Sequence, residues 1–143
     1  MASPDEMRAA IKVGRETLGA AIAGSADNWE RQPESGEGED AWSPRQVAEH
    51  VIGAQLYFAN AVCEACGYEG PESPFDGALS LATPADAQTA LEQASEAAHA
   101  KIKYVTEEDL AHTHESMGTV EGVMAFDAYH LLDHAFQLRN AAS

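Results

Sequence analysis

Residues 126–139, FDAYHLLDHAFQLR, place two histidines four positions apart in a largely apolar stretch. On an α-helix, side chains at positions i and i+4 project from the same face, one turn apart. The imidazoles of His130 and His134 therefore point in the same direction. Such a pair is either hydrogen-bonded within the core or binds a metal ion together, and the metal interpretation calls for a third ligand elsewhere in the chain.

A third histidine, His50, lies on the apolar face of another predicted helix. At about 100° per residue, Val47, Tyr57 and Phe58 fall within about 80° of it, so we expect Tyr57 in the core or in the wall of a pocket. On the last helix the same spacing of about 100° per residue places four polar side chains in one stripe: Asp127, His130, His134 and Gln137.

These polar groups need partners if the helices pack together. A buried polar group without a partner costs about 1–3 kcal/mol. One solution is a divalent cation held by three neutral imidazoles, those of His50, His130 and His134. The other is a set of ordinary hydrogen-bonded core histidines, and the sequence leaves both open.

Asp127 and Gln137 are the candidate catalytic residues beside this histidine cluster. Asp127 precedes His130 by one turn and could orient an imidazole or act as a general base. Gln137 follows His134 by one turn and could hydrogen-bond a bound water or substrate. The alternative for both is a structural hydrogen bond to a neighbouring helix.

Capping sequences mark the elements that position these residues. Residues 3–6, 43–46 and 83–86 each combine a Ser or Thr N-cap with a proline at the first helical position. The first two also carry the Glu or Gln of a capping box. They predict an all-α, single-domain four-helix bundle over residues 1–143, with helices over residues 4 to about 23, 44 to about 66, 84 to about 105, and about 119 to the C-terminus.

Long connections join these helices. Residues 25–41 are rich in Gly, Glu and Ser and are predicted to form an exposed acidic loop. The turn-rich connection that follows Cys66 allows one helical turn at residues 73–76. His112 and His114 lie in the third connection, where we expect solvated side chains, and no stretch alternates regularly enough to predict a strand.

Composition excludes several classes of function. The formal net charge of −16 disfavours binding to nucleic acids and to anionic lipid surfaces. Neither a membrane-spanning apolar run nor a secretory signal is evident, so we expect a cytoplasmic protein. Cys63 and Cys66 form a C-x-x-C at a helix end, where the helix dipole raises thiol pKa values; we therefore expect structural rather than redox-active thiols.

Two segments carry a resemblance to a known family. WSPRQVAEHV, residues 42–51, resembles the start of the second helix in the DinB/YfiT-like family, and GTVEGVMAFDAYHLLDHAFQLR, residues 118–139, resembles that family's last helix. The resemblance covers essentially the whole chain. It implies a four-helix bundle that binds zinc or nickel through three histidines, which correspond here to His50, His130 and His134.

The resemblance also suggests an activity. Related groups include S-transferases that use bacillithiol or mycothiol, and homodimers are frequent among them. The expectation is a metal-dependent S-transferase acting on a small electrophile, with a small-molecule thiol as its partner. A metal-dependent hydrolase, a non-catalytic metal-binding module and a dimeric interaction protein are the alternatives.

Overall fold

The computed structural model describes residues 2–143, and over that range it contains four long helices. These are α1 (Pro4–Ala23), α2 (Pro44–Cys66), α3 (Pro84–Ile102) and α4 (Val120–Ala142). Short 3-10 turns occur at Ala26–Asn28, Gly38–Ala41 and Glu108–Ala111, and a small hairpin pairs β1 (Thr113–His114) with β2 (Gly118–Thr119). The predicted all-α fold is confirmed.

The predicted caps define the helix starts. Ser3 Oγ accepts from the backbone N–H of Glu6 at 3.1 Å, and the Glu6 carboxylate accepts from the Ser3 N–H at 3.2 Å. Ser43 and Gln46 form the same reciprocal pair at the start of α2. Each capping box satisfies two N–H groups that the helix itself leaves without partners, which is why sequence alone places these boundaries well.

The helices pack as unequal pairs. α1 packs most extensively against α4, α2 packs against both α3 and α4, and the contact between α1 and α3 is smaller. Gly14 makes the α1–α4 approach close, since a Cβ added there would lie 2.8 Å from Leu131 Cβ. The bundle interior is apolar, with Leu18, Ile52 and Leu138 completely buried.

Helix α3 ends earlier than the sequence predicts, at Ile102 rather than near Val105. Arg8 binds the chain at this end, where its Nη1 donates to the carbonyl oxygens of Ile102 at 3.2 Å and Val105 at 3.0 Å. A cation from α1 thus satisfies carbonyl groups at the end of α3.

The connection between α3 and α4 differs from its prediction in two ways. First, it contains a β-hairpin, which the sequence analysis did not anticipate because strands of two residues are too short to show alternation. Second, His114 is not solvated: its side chain is 11% exposed and its Nε2 lies 2.7 Å from Glu64 Oε2 on α2. This pair attaches the hairpin to α2.

The loops before and after α2 are also held in place. Most of the acidic loop is exposed as predicted, but Trp29 is only 5% exposed and its indole N–H donates to the carbonyl of Leu81 at 2.8 Å. The helical turn suggested for residues 73–76 is wrong, because that segment forms only bends. None of the helices described for residues 2–143 has the length and apolarity that crossing a membrane requires.

Replacing Gly14 with alanine will destabilise the protein by about 1–3 kcal/mol, because the new methyl group overlaps Leu131 and cannot be accommodated without moving α1 from α4. Gly53→Ala is the matched control. The nearest atom to its added Cβ is 4.0 Å away, so the gain in helix propensity should stabilise the fold by about 0.5–1 kcal/mol. Urea unfolding of both variants tests the prediction, and equal effects of the same sign would contradict it.

Candidate metal centre

Three imidazoles converge between α2 and α4. Nε2 of His130 lies 3.3 Å from Nε2 of His50 and 3.0 Å from Nε2 of His134. Within the cluster, no two potential ligand atoms are more than 4.8 Å apart. Around a tetrahedral ion with metal–nitrogen bonds of about 2.0–2.1 Å, ligand nitrogens are about 3.3–3.4 Å apart. The three histidines proposed from the sequence therefore lie close enough together to hold a metal ion.

Gln137 determines which nitrogen of His134 faces the cluster. Its amide Nε2 donates to the backbone carbonyl of Glu39 at 2.6 Å, so its Oε1 is turned toward His134 Nδ1, also at 2.6 Å. An amide oxygen only accepts, so Nδ1 of His134 carries the proton and Nε2 presents a lone pair. A neutral imidazole with its lone pair toward a shared point is the form that coordinates a cation.

The surroundings keep the other two imidazoles neutral. Burial lowers the pKa of His50, and the neighbouring His134 lowers it further. Burial lowers the pKa of His130 to about 4, again with a contribution from the other two histidines. Neutral rings avoid the mutual repulsion of three imidazolium ions, and they are ready to bind metal at neutral pH without first losing a proton.

Aromatic rings enclose the cluster on two sides. The ring of Trp42 lies 5.1 Å from that of His50, and the rings of Phe58 and Phe126 lie 5.3 and 5.6 Å from that of His130. His134 is buried, whereas His50 and His130 are only partly so. The cluster is therefore buried at His134 and partly accessible at His50 and His130.

The acidic loop reaches this site through the turn at Gly38–Ala41. The carbonyl of Glu39 holds Gln137, and Trp42 follows directly and packs on His50. The Glu39 contact could not be predicted from the sequence, because a backbone carbonyl leaves no signature in residue type. Trp42 was visible, but as the residue before a helix cap rather than as a neighbour of an imidazole.

Asp127 lies deeper in the bundle than Gln137. It is 2% exposed, and neither carboxylate oxygen has a hydrogen-bond partner within residues 2–143. Burial raises its pKa to about 7, against an opposing effect of Arg15 on α1. Of the two candidate catalytic residues, the structure connects Gln137 to the histidine cluster by a hydrogen bond and places Asp127 on the side of α1.

One other residue differs from what the sequence led us to expect. Tyr57 is 63% exposed and so is not a core residue, although Phe58 beside it is buried against His130. Cys63 and Cys66 are free thiols whose pKa values are raised by burial, that of Cys66 to about 11. A raised pKa disfavours the thiolate that redox chemistry needs, in line with the interpretation of these cysteines as structural.

We expect the protein, purified without a histidine tag, to retain a divalent metal that His130→Ala loses and His99→Ala keeps. His99 is an exposed histidine of α3 and serves as the matched control. Burial lowers the pKa of His130 to about 4, so protons compete little with the metal for this ligand at pH 6, and the metal content should fall when the pH is lowered to 4. Elemental analysis after dialysis at pH 7, 6 and 4 measures this; equal metal content in both variants would contradict it.

Asp127→Asn should stabilise the protein at high pH. The carboxyl pKa is about 7 in the folded state and about 3.9 in an unfolded chain, so the native state binds this proton more tightly and stability falls as the pH rises from about 4 to about 7. Asp127→Asn lacks the titrating carboxyl and so avoids this loss. Its free energy of unfolding, relative to that of the native protein, should therefore rise by on the order of 3 kcal/mol between pH 4.5 and 8.

Chemical denaturation in the presence of EDTA measures the effect of Asp127→Asn without a contribution from metal. Asp76→Asn, at an exposed loop position, is the control and should show no such pH-dependent difference. If the difference in free energy of unfolding between Asp127→Asn and the native protein is the same at both pH values, the carboxyl does not titrate as its burial predicts.

Comparison with known proteins places the chain in a family. No curated protein and no solved structure matches it. The family model of the DinB superfamily matches residues 3–138, a range that includes all three histidines, Asp127 and Gln137. Because this match spans nearly the whole chain, the protein belongs to the DinB superfamily.

Proposed function

We propose that the protein is a metal-dependent S-transferase that joins a small-molecule thiol to a small electrophile. The observation that carries this proposal is the convergence of three Nε2 atoms from two helices at an accessible edge of the bundle. Three protein ligands leave at least one coordination position free, which is typical of catalytic rather than structural sites.

Zinc or nickel fits the donor set, since imidazole nitrogen is a good ligand for both, and either ion would lower the pKa of a bound thiol and so supply thiolate at neutral pH. His50, His130 and His134 would hold the ion. Gln137 would keep His134 in its ligating tautomer, and the rings of Phe58 and Phe126 would keep water away from one side of the site.

The transfer itself is a nucleophilic substitution. The thiol gives its proton to solvent, the sulfur electron pair forms a bond to an electrophilic carbon, and the bonding pair of the leaving group departs with it. Only the thiol and the electrophile are consumed. No buried nucleophile of the protein takes part, which agrees with the raised pKa values of Cys63 and Cys66.

The surface beside the histidines favours an apolar electrophile. Phe126 is 49% exposed and Tyr129 60% exposed, and the ring of Phe126 lies 5.6 Å from that of His130. An apolar or aromatic substrate resting on these rings would bring its reactive carbon toward the open side of the cluster.

A reducing compartment such as the cytoplasm, where low-molecular-weight thiols are abundant, is the location that this activity requires.

We further propose a homodimer as the working form. Tyr57 and Phe136 are each more than half exposed, and exposed apolar surface is a feature of protein–protein contacts. Sedimentation measurements at several protein concentrations test this part of the proposal independently of activity.

The S-transferase proposal predicts conjugation of a halogenated bimane or of 1-chloro-2,4-dinitrobenzene with a low-molecular-weight thiol, catalysed only by metal-loaded protein. His130→Ala should lower the rate at least 100-fold and His99→Ala should not change it. Gln137→Ala should weaken metal binding or activity by about 10–100-fold, as is usual for residues that orient a ligating histidine. Glutathione, cysteine, bacillithiol and mycothiol form the panel of thiols.

The same assay separates the alternatives. Loss of the leaving group without any thiol would indicate a metal-dependent hydrolase, for which the same free coordination position would serve. Metal binding without turnover for any thiol would indicate a non-catalytic metal-binding module. A folded protein that binds no metal would contradict both the transferase and the hydrolase.

A further inference from the structure

A second concave region lies between α1 and α3, on the pair of helices that does not carry the three histidines. It is a groove of about 850 Å³ whose walls are mostly carbon, from residues that include Ala9, Gly19 and Leu91. That volume falls within the range of about 300–1,000 Å³ typical of small-molecule sites. The groove exists because α1 and α3 have less contact with each other than either has with its other neighbour in the bundle.

Basic side chains line the groove although the protein is strongly acidic. Arg8, Lys12 and Arg15 line it, three of the eight Lys and Arg residues in a chain of net charge −16. Arg8 is already engaged with the carbonyl groups of Ile102 and Val105 and with Asp5. Lys12 is exposed at the rim, so Arg15 is the cation that sits at the floor.

Arg15 is held in place but not satisfied. Its Nε donates to Gln55 Oε1 at 2.7 Å, and the Ser95 hydroxyl donates to the same oxygen at 3.3 Å. Neither terminal amino group of Arg15 makes a hydrogen bond with any residue from 2 to 143, although the side chain is half-buried. One donor therefore fixes the guanidinium plane and four N–H groups remain available on one side.

The interior compensates this guanidinium only in part, through the charge of Asp127. Within residues 2–143 Asp127 and Arg15 form no ion pair, and burial raises the pKa of Asp127 to about 7, which reduces the charge that its carboxyl offers. Gln55 is fully buried and its amide nitrogen has no partner within that part of the chain. A partly buried arginine without a carboxylate favours an anion from outside.

The rim limits which anion can enter. Glu16, Glu92 and Glu96 line the edges of the groove and are exposed. They repel phosphates, nucleotides and other multiply charged ligands. A ligand with a single negative charge is repelled less and can reach Arg15. The carbon walls in turn favour a ligand with an apolar body.

We propose that the α1–α3 groove binds a small organic monocarboxylate, whose carboxylate accepts from both terminal amino groups of Arg15 and whose apolar body lies against Ala9, Gly19 and Leu91. This site shares no residue with the three-histidine cluster and does not depend on the activity proposed for it. The protein therefore has two ligand sites, one on each side of the bundle.

Octanoate and octan-1-ol are the probes, measured by calorimetry and by ¹H–¹⁵N NMR titration. We expect octanoate to shift the amides of α1 and α3 and to bind at least tenfold more tightly than octan-1-ol, because only the acid can pair with Arg15. Arg15→Met should weaken octanoate at least tenfold and Arg15→Lys by less, since lysine keeps the charge but not the paired donors. Arg139→Met, which removes an exposed arginine of α4, should leave the affinity unchanged.

Three results would overturn the proposal. The first is equal affinity for octanoate and octan-1-ol. The second is a loss of octanoate affinity in Arg139→Met as large as that in Arg15→Met. The third is a loss of octanoate binding in metal-free His130→Ala, which would place the carboxylate at the histidine cluster instead. If Arg15→Met does not fold, Ala9→Trp replaces it, because position 9 is exposed and the indole would fill the groove. Octanoate binding to Ala9→Trp at the native affinity, or no binding to the native protein at millimolar concentration, would also overturn it.

Discussion

The close packing of α1 on α4 fixes the rotation of α4, and the candidate metal site depends on that rotation. Gly14 allows α1 to approach Leu131 and the backbone of Ala128. Leu131 directly follows His130, so its side chain is turned by about 100° from the imidazole. With Leu131 facing α1, His130 and His134 must face α2, where His50 meets them. A small residue on one helix thus orients ligands on another.

The contacts around His134 show how a backbone carbonyl can set the tautomer of a histidine through an intervening glutamine. The carbonyl of Glu39 orients the Gln137 amide, the amide assigns the proton of His134 to Nδ1, and Nε2 is left as an acceptor. Because the first step comes from the acidic loop, the tautomer of a helix residue is coupled to the fold of a connection nearly a hundred positions away in sequence. The loop is therefore part of the site.

Local interactions explain what the sequence predicted well. Helix starts at Pro4, Pro44 and Pro84 follow from caps whose donors and acceptors lie within three residues of each other, and the pairing of His130 with His134 follows from the helical repeat. What the sequence missed depends on contacts between distant residues. Arg8 binds the end of α3, Glu64 pairs with His114, and the carbonyl of Leu81 accepts from the indole of the buried Trp29. None of these partners could be assigned without the fold.

Helix α4 carries two kinds of polar group into the bundle, and they meet the cost of burial differently. The nitrogens of the two histidines toward α2 lie within 4.8 Å of each other and of the His50 nitrogen, so a single cation can accept all three lone pairs. Asp127 toward α1 has no hydrogen-bond partner among residues 2–143, and its raised pKa reduces the cost by favouring the neutral acid. A carboxyl that is partly neutral cannot fully compensate Arg15. The two terminal amino groups of Arg15 therefore remain without partners among residues 2–143, and its side chain lines the groove between α1 and α3.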